Sequence, residues 1–216
     1  MFENPKLLLA RADPPNMNSH PRTSNLASES PIGSSPFDGV ICFGGVDWWY
    51  HNRGHYDLQM MREISNMGIP VLYVNSIGMR VPKITEGAVL LQRIGRKISS
   101  LKRGVVEVRQ GFVVQSPLML PAKFGRKTLE RFLSYQVRRA AANAGITKPL
   151  VWIACPPAVE VLESMSPVAL VYQRTDRFEE YPNVDREQIA GYDRRLKALA
   201  DITLYCSSLL YDEEAG

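Results

Sequence analysis

The stretch FGGVDWWYHNRGHYD (43–57) sets glycines, paired tryptophans, two histidines, an arginine and carboxylates directly behind a short apolar run. Gly44 and Gly45 let backbone come close to a ligand, and their amides, near a helix start, suit a phosphate or a sugar hydroxyl; a plain turn uses the same residues. The G-x-G-x-x-G spacing of a dinucleotide site is missing from this loop, which speaks against a nucleotide-cofactor oxidoreductase. Trp48 and Trp49 offer flat amphipathic rings for stacking on a sugar or base, or one of them fills space beneath the loop. His51 and His55 stand four apart. They serve as acid, base or hydrogen-bonding partner to a substrate hydroxyl, or as structural histidines. No third ligand completes a recognisable metal pattern, so no metal is expected. Asp47 and Arg53 complete the polar set.

These groups need a frame. GVICF (39–43) is a compact buried strand, and PVLYVNS (70–76) is a second. Between them Tyr56, Met60, Ile64 and Met67 form one stripe of a helix over about 54–67, with Gly68 as its stop. Strand, helix and strand with short links make a βαβ unit on a parallel sheet. The sequence continues with a strand or hairpin (104–117), a long helix (about 122–144) closed by Gly145, and a strand (149–155). Next come a short helix near 157–164, a strand (168–174), a helix over about 185–199 with Asp185 and Gln188 as capping pair, and a strand (202–207). The expected fold is a doubly wound, Rossmann-like α/β domain over residues 37–216, with five or six mainly parallel strands. Residues 1–36, rich in Pro, Ser and Asn, bury too little apolar area to offset backbone ordering and read as a disordered tail. SSLLYDEEAG at the end reads as a helix barely begun, the mark of an N-terminal piece of a longer protein.

Ligands of open parallel sheets bind beyond the carboxyl ends of the strands. Unusual residues gather at those positions: the 43–57 loop, Asn75 and Ser76, Pro156 and Pro157, then Arg174, Thr175, Asp176 and Arg177, and finally Ser207 and Ser208. Asp176 suits acceptance of hydrogen bonds from hydroxyls, or a loop cap, or an ion pair with Arg174 or Arg177. One cleft lined by all these loops is the expectation.

The chain has 216 residues, an apolar fraction of 45% and a formal charge of +4, which allow a large core and contact with anions without demanding nucleic acid. Cys42, Cys155 and Cys206 lie in apolar stretches without metal spacing, as buried reduced thiols of a cytosolic protein do. No apolar run approaches the roughly 18 residues of a membrane span. Basic residues concentrate at Arg80–Arg103, including Arg93, Arg96, Lys97, Lys102 and Arg103, while Ile84, Leu91, Ile94, Ile98 and Leu101 repeat at helical spacing. Such a segment fits an anionic membrane surface or a lipid-linked phosphate, or forms an ordinary surface helix.

ICFGGVDWWYHNRGHYDLQMMREISNMGIPVLYVNSIGMRVP (41–82) and LVYQRTDRFEEYPNVDREQIAGYDRRLKALADITLYCSS (170–208) together resemble the N-terminal half of bacterial glycosyltransferases with the GT-B fold. The group concerned is related to the teichuronic acid and exopolysaccharide enzymes of glycosyltransferase families 1 and 4. The shared features are an aromatic and basic loop after the first strand, a VLYV strand, the D-x-F element Asp176-Arg177-Phe178, and the Ala200-Asp201 to Cys206-Ser207-Ser208 strand.

The resemblance implies a two-domain hexosyltransferase that moves sugar from a nucleotide-sugar donor to a glycan or lipid-linked acceptor, without metal or other cofactor. The half present here would mainly bind acceptor and be inactive alone. Many family 4 enzymes carry a histidine after the fourth strand, where this chain has Cys155-Pro156-Pro157. His51, His55 and Asp176 are therefore the candidate catalytic groups. Gly44, Gly45, Asp47, Trp48, Trp49, Arg53, Asn75, Ser76 and Arg174 are the candidate substrate contacts. The expected location is the cytoplasm, peripheral at the inner face of the membrane, with no nucleic-acid partner. The rival reading is a non-catalytic module docking on anionic lipid or nucleic acid through its basic segments.

Overall fold

A computed structural model describes residues 8–10, 35–50, 54–77, 99, 102–119 and 124–214. The β-branched and aromatic runs form strands β1 (Leu8–Ala10), β2 (Gly39–Phe43), β3 (Val71–Val74), β4 (Val105–Arg109), β5 (Phe112–Gln115), β6 (Pro149–Ile153), β7 (Ala169–Arg174) and β8 (Ile202–Tyr205). One sheet takes them all, in the order β1-β8-β7-β6-β2-β3-β5-β4. From β8 to β5 every neighbouring pair is parallel, while β1 and β4 add antiparallel edges. Leu8–Ala10 thus fall inside the stretch read as a tail, paired with Thr203–Tyr205.

The order of the six parallel strands is that of a doubly wound sheet. The chain leaves β2 toward β3 on one side, and β6 toward β7 and β8 on the other. The alternation of side chains along each strand supplies two apolar faces. Val40, Cys42, Tyr73 and Trp152 meet Leu58 and Met61 of helix α1 (Tyr56–Asn66) on one face. On the other, Ile41, Phe43, Leu72 and Ile153 meet helix α2 (Arg126–Asn143), helix α3 (Val159–Leu162) and helix α4 (Arg186–Leu199). Helix α5 (Ser208–Glu214) follows β8.

Local signals explain the boundaries. The Asp185 side chain accepts from the Gln188 amide (3.0 Å) and starts α4. Gly145, at φ 76°, takes the left-handed conformation that ends α2 at little steric cost. Of the strand or hairpin expected at 104–117, the structure forms the hairpin β4–β5, turning at Gln110 and Gly111. Near 157–164, Pro156–Ala158 and Glu163–Met165 are 3-10 turns flanking the single α-helical turn of α3. The run ends at Ser166, at φ 45°, directly before Pro167, which cannot continue a helix.

Gly44 closes the buried β2 end against the Tyr73 ring. A Cβ there would lie 2.0 Å from the Tyr73 hydroxyl and 2.2 Å from the ring carbon bearing it. Gly44→Ala is expected to cost about 1–3 kcal/mol through overpacking, read as a lowered midpoint in urea unfolding.

Candidate functional site

A cleft of about 680 Å³ opens beyond the carboxyl ends of the strands, where β2 and β6 lie side by side and their connections diverge. Gly45 and Val46 line it from the loop after β2, and His55, Tyr56 and Asp57 from the start of α1. Ser76 contributes from just past β3, Ala154 from just past β6, and Cys206 from just past β8. Gln173, Thr175, Asp176, Phe178 and Tyr181 form the opposing wall after β7.

Asp57 organises the first wall. It is 3% exposed. Its Oδ2 accepts from the Gly45 amide (2.8 Å) and the Tyr73 hydroxyl (2.9 Å), and its Oδ1 from the Leu58 amide (2.9 Å). A carboxylate in the first helical turn also meets the positive end of the helix dipole. Its charge reaches the cleft: burial first, then Asp57, pushes the Cys206 thiol up to about 11, so Cys206 is a neutral thiol at physiological pH. Burial and the same charge raise the Tyr73 phenol.

The loop after β2 is pinned elsewhere too. The Trp48 amide donates to Asn75 Oδ1 (2.8 Å), and the Trp49 amide to Asp47 Oδ1 (2.9 Å). Asn75 Nδ2 (2.8 Å) and the Trp49 indole N–H (3.2 Å) converge on the Ser116 hydroxyl. These bonds turn the tryptophans away from the expected position. Trp48 packs on Phe112 (ring centroids 4.9 Å apart) and Tyr73 (5.8 Å). With Trp49, Arg62, Val108 and Arg109 it lines a separate hollow of about 320 Å³. The Arg103 guanidinium lies 4.4 Å over the Trp49 ring.

On the second wall, Asp176 accepts from the Arg177 amide (2.8 Å) and from the Tyr181 hydroxyl (2.6 Å). Phe178 meets Tyr181 edge-on at 5.7 Å. Gln173 is 1% exposed, and its Oε1 accepts from the Trp152 indole N–H (2.7 Å). An indole N–H only donates, so it fixes which end of the Gln173 amide is oxygen. The Gln173 Nε2 makes no hydrogen bond among the described residues.

Arg174, expected to touch substrate, is completely buried and lines no part of the cleft. Its guanidinium meets Glu179 through two bonds (2.8 and 3.0 Å) and Glu214 through two more (3.0 and 3.2 Å), with Asp193 at 3.4 Å. Lys197 joins Asp193 (2.8 Å) and Glu214 (2.5 Å), and the Tyr172 hydroxyl donates to Asp193 (2.6 Å). A strand-end arginine pointing into a helix layer must carry its own counter-ions. The cluster fastens the Phe178–Glu180 turn, and with it the second cleft wall, to α4 and α5.

The structure therefore brings Gly45, His55, Ser76 and Asp176 to one cleft. Gly44 lies buried against Tyr73, Asn75 and Asp47 brace the loop, and Lys102 and Arg103 are exposed at the sheet edge. His51, Arg53, Arg93, Arg96 and Lys97 lie outside the described residues. Asp57, Gln173 and Tyr181 were not singled out in the sequence. An acid in the first turn of a predicted helix and a glutamine inside an apolar strand were the available signals. Among the described residues, no group of three or more His, Cys, Asp or Glu is placed to hold a metal, and no helix is long and apolar enough to cross a membrane. Comparison of the chain with protein-family models, curated proteins and solved structures gives no match.

The ion cluster sets an acid limit. Burial opposes ionisation of Glu179 and Glu214, but hydrogen bonds from Arg174 outweigh it and hold both carboxyls below their ordinary value of 4.5. Their stabilisation is complete above that value and is lost as pH falls through the lowered folded values. The urea midpoint is expected to drop below pH 4.5. Arg174→Met, which strands the buried Asp193 and the half-buried Glu179 and Glu214, is expected to cost about 3 kcal/mol near neutrality and to flatten that acid limb.

Proposed function

We propose that residues 37–216 form the acceptor-side half of a GT-B glycosyltransferase. In this reading it moves a hexose from a nucleotide-sugar donor to a glycan or lipid-linked acceptor in cell-surface polysaccharide biosynthesis. The supporting observation is the cleft at the point where the doubly wound sheet changes direction. Hydroxyl, amide, imidazole, carboxylate and aromatic groups of five strand-end segments converge there. Alternating apolar rings and hydrogen-bonding groups suit a pyranose, which presents apolar C–H faces and a rim of hydroxyls.

His55 and Asp176 stand on opposite walls and are the groups able to take a proton from an acceptor hydroxyl. The other wall residues hold the ring in a reactive orientation. Stabilisation of the leaving diphosphate falls to a second domain of the GT-B arrangement.

Saturation-transfer NMR tests this reading. Sugar protons of a panel of nucleotide sugars and methyl glycosides are expected to receive saturation from the protein. His55→Ala and Asp176→Asn are each expected to weaken the transfer several-fold. Absence of transfer to every sugar, or transfer unchanged in both variants, overturns the reading.

One further observation favours peripheral contact with anionic lipid, in the cytoplasm at the inner face of the membrane. Val105 is 51% and Leu118 49% exposed, and the Ser116 amide donates to the Gly104 carbonyl (2.8 Å), which sets them near exposed Lys102 and Arg103. Each basic residue at such a surface contributes about 1 kcal/mol. The chain is expected to co-sediment with vesicles containing phosphatidylglycerol and to remain soluble with phosphatidylcholine alone. Lys102→Glu with Arg103→Glu should reduce the bound fraction. Equal binding to both vesicles, or to neither, refutes the lipid contact.

A further inference from the structure

The proposed sugar cleft contains two features that bear on ligand charge. The first is Asp57. A backbone amide of a glycine pair, close to a helix N-terminus, is where a phosphate oxygen ordinarily docks. Here the Gly45 amide already donates to Asp57 Oδ2 at 2.8 Å, so the seat is filled by the protein's own carboxylate. A phosphate entering would meet a fixed negative charge and find its best donor taken. Asp176, on the opposite wall, adds a second carboxylate, and its two oxygens accept from the Arg177 amide and Tyr181 hydroxyl.

The second feature is Gln173, nearly fully buried on the cleft lining. Trp152 holds its oxygen, and the Nε2 of this cleft-lining side chain makes no hydrogen bond among the described residues. Gln173 lines the cleft, so a ligand oxygen there can take the place of solvent at this amide. A neutral amide donor suits a hydroxyl or ring oxygen.

We infer that the cleft seats an uncharged sugar ring, with the Gln173 amide donating to one of its oxygens, and excludes phosphate because Asp57 occupies the Gly45 amide. The inference rests on the reading of the cleft as a sugar site. It makes Asp57 a positioning residue and Gln173 a ligand contact. Phosphate groups of a donor or lipid-linked acceptor then lie outside this cleft.

The test compares methyl glycosides of glucose, galactose and N-acetylglucosamine with the corresponding sugar 1-phosphates, by saturation transfer and competition on the same chain. At least one neutral glycoside is expected to bind about tenfold or more tightly than its 1-phosphate. Gln173→Glu keeps an acceptor for Trp152 but removes the amide donor, and should weaken the neutral glycoside about tenfold. Asp57→Asn should narrow the gap by improving binding of the 1-phosphate. If that variant is unfolded by circular dichroism, Gln173→Glu and the wild-type preference decide the matter. Tighter binding of the 1-phosphates to the wild-type chain, or neutral binding unchanged in Gln173→Glu, overturns this inference and leaves the sugar cleft standing. Failure of every sugar to bind the wild-type chain overturns the cleft reading itself.

Discussion

The Asp57 carboxylate draws three pieces of chain together: the amide of Leu58 in its own helix, the amide of Gly45 in the loop after β2, and the hydroxyl of Tyr73 on β3. A buried carboxylate is costly unless its oxygens are satisfied, and here each oxygen has a donor. The bonds form only if the loop approaches the strand closely, and Gly44 permits that approach because any larger residue would strike the Tyr73 ring. Tyr73 in turn supports Trp48, whose amide is held by Asn75. The shape of one cleft wall thus follows from a single charge and the small residue that lets it be reached.

The opposite wall depends on a second buried charge. Arg174 and Lys197 face Glu179, Asp193 and Glu214, leaving one excess negative charge in the cluster. The network is polar and geometrically demanding, so it specifies how the Phe178–Glu180 turn sits against α4 and α5. Arg177 also pairs with Glu213 across the same junction. The two walls come from opposite halves of the sheet, and each is braced by ions beneath its surface. Apolar packing alone would leave the walls freer to slide, because hydrophobic contact is not directional.

Much of this fold was legible in the sequence because its strands are uniform β-branched runs and its helices carry regular stripes. GVICF, VLYV and the Ile189–Tyr192–Leu196 face are examples. The capping of α4 by Asp185 was legible for the same reason, since it is local. Non-local partnerships were not. Nothing in the order of residues says that Trp48 turns to Phe112 or that Trp49 reaches Ser116, 67 positions away. Arg174 read as a ligand contact because it ends a strand, yet its side of the strand is set by alternation with Tyr172, which faces α4. Counting inward from Tyr172 would have placed Gln173 on the other face, with Trp152, and Arg174 among the helices.

The charges of the chain are divided rather than mixed, and the division has a physical consequence for the proposed activity. Acids of the last forty residues are partly consumed in holding Arg174 and Lys197. Asp57 is consumed in holding the loop. Arg62, Arg103 and Arg109 instead lie over the faces of Trp48, Trp49 and Phe112 at the other end of the sheet order, toward β4 and β5. The cleft is lined by the carboxylates Asp57 and Asp176, and the separate hollow by Arg62 and Arg109, so one approaching molecule meets acids at the first and bases at the second. A substrate carrying both a neutral sugar and a phosphate would be oriented by that contrast before any short-range contact forms, since charge acts over about 8–10 Å in physiological salt and hydrogen bonds only at contact.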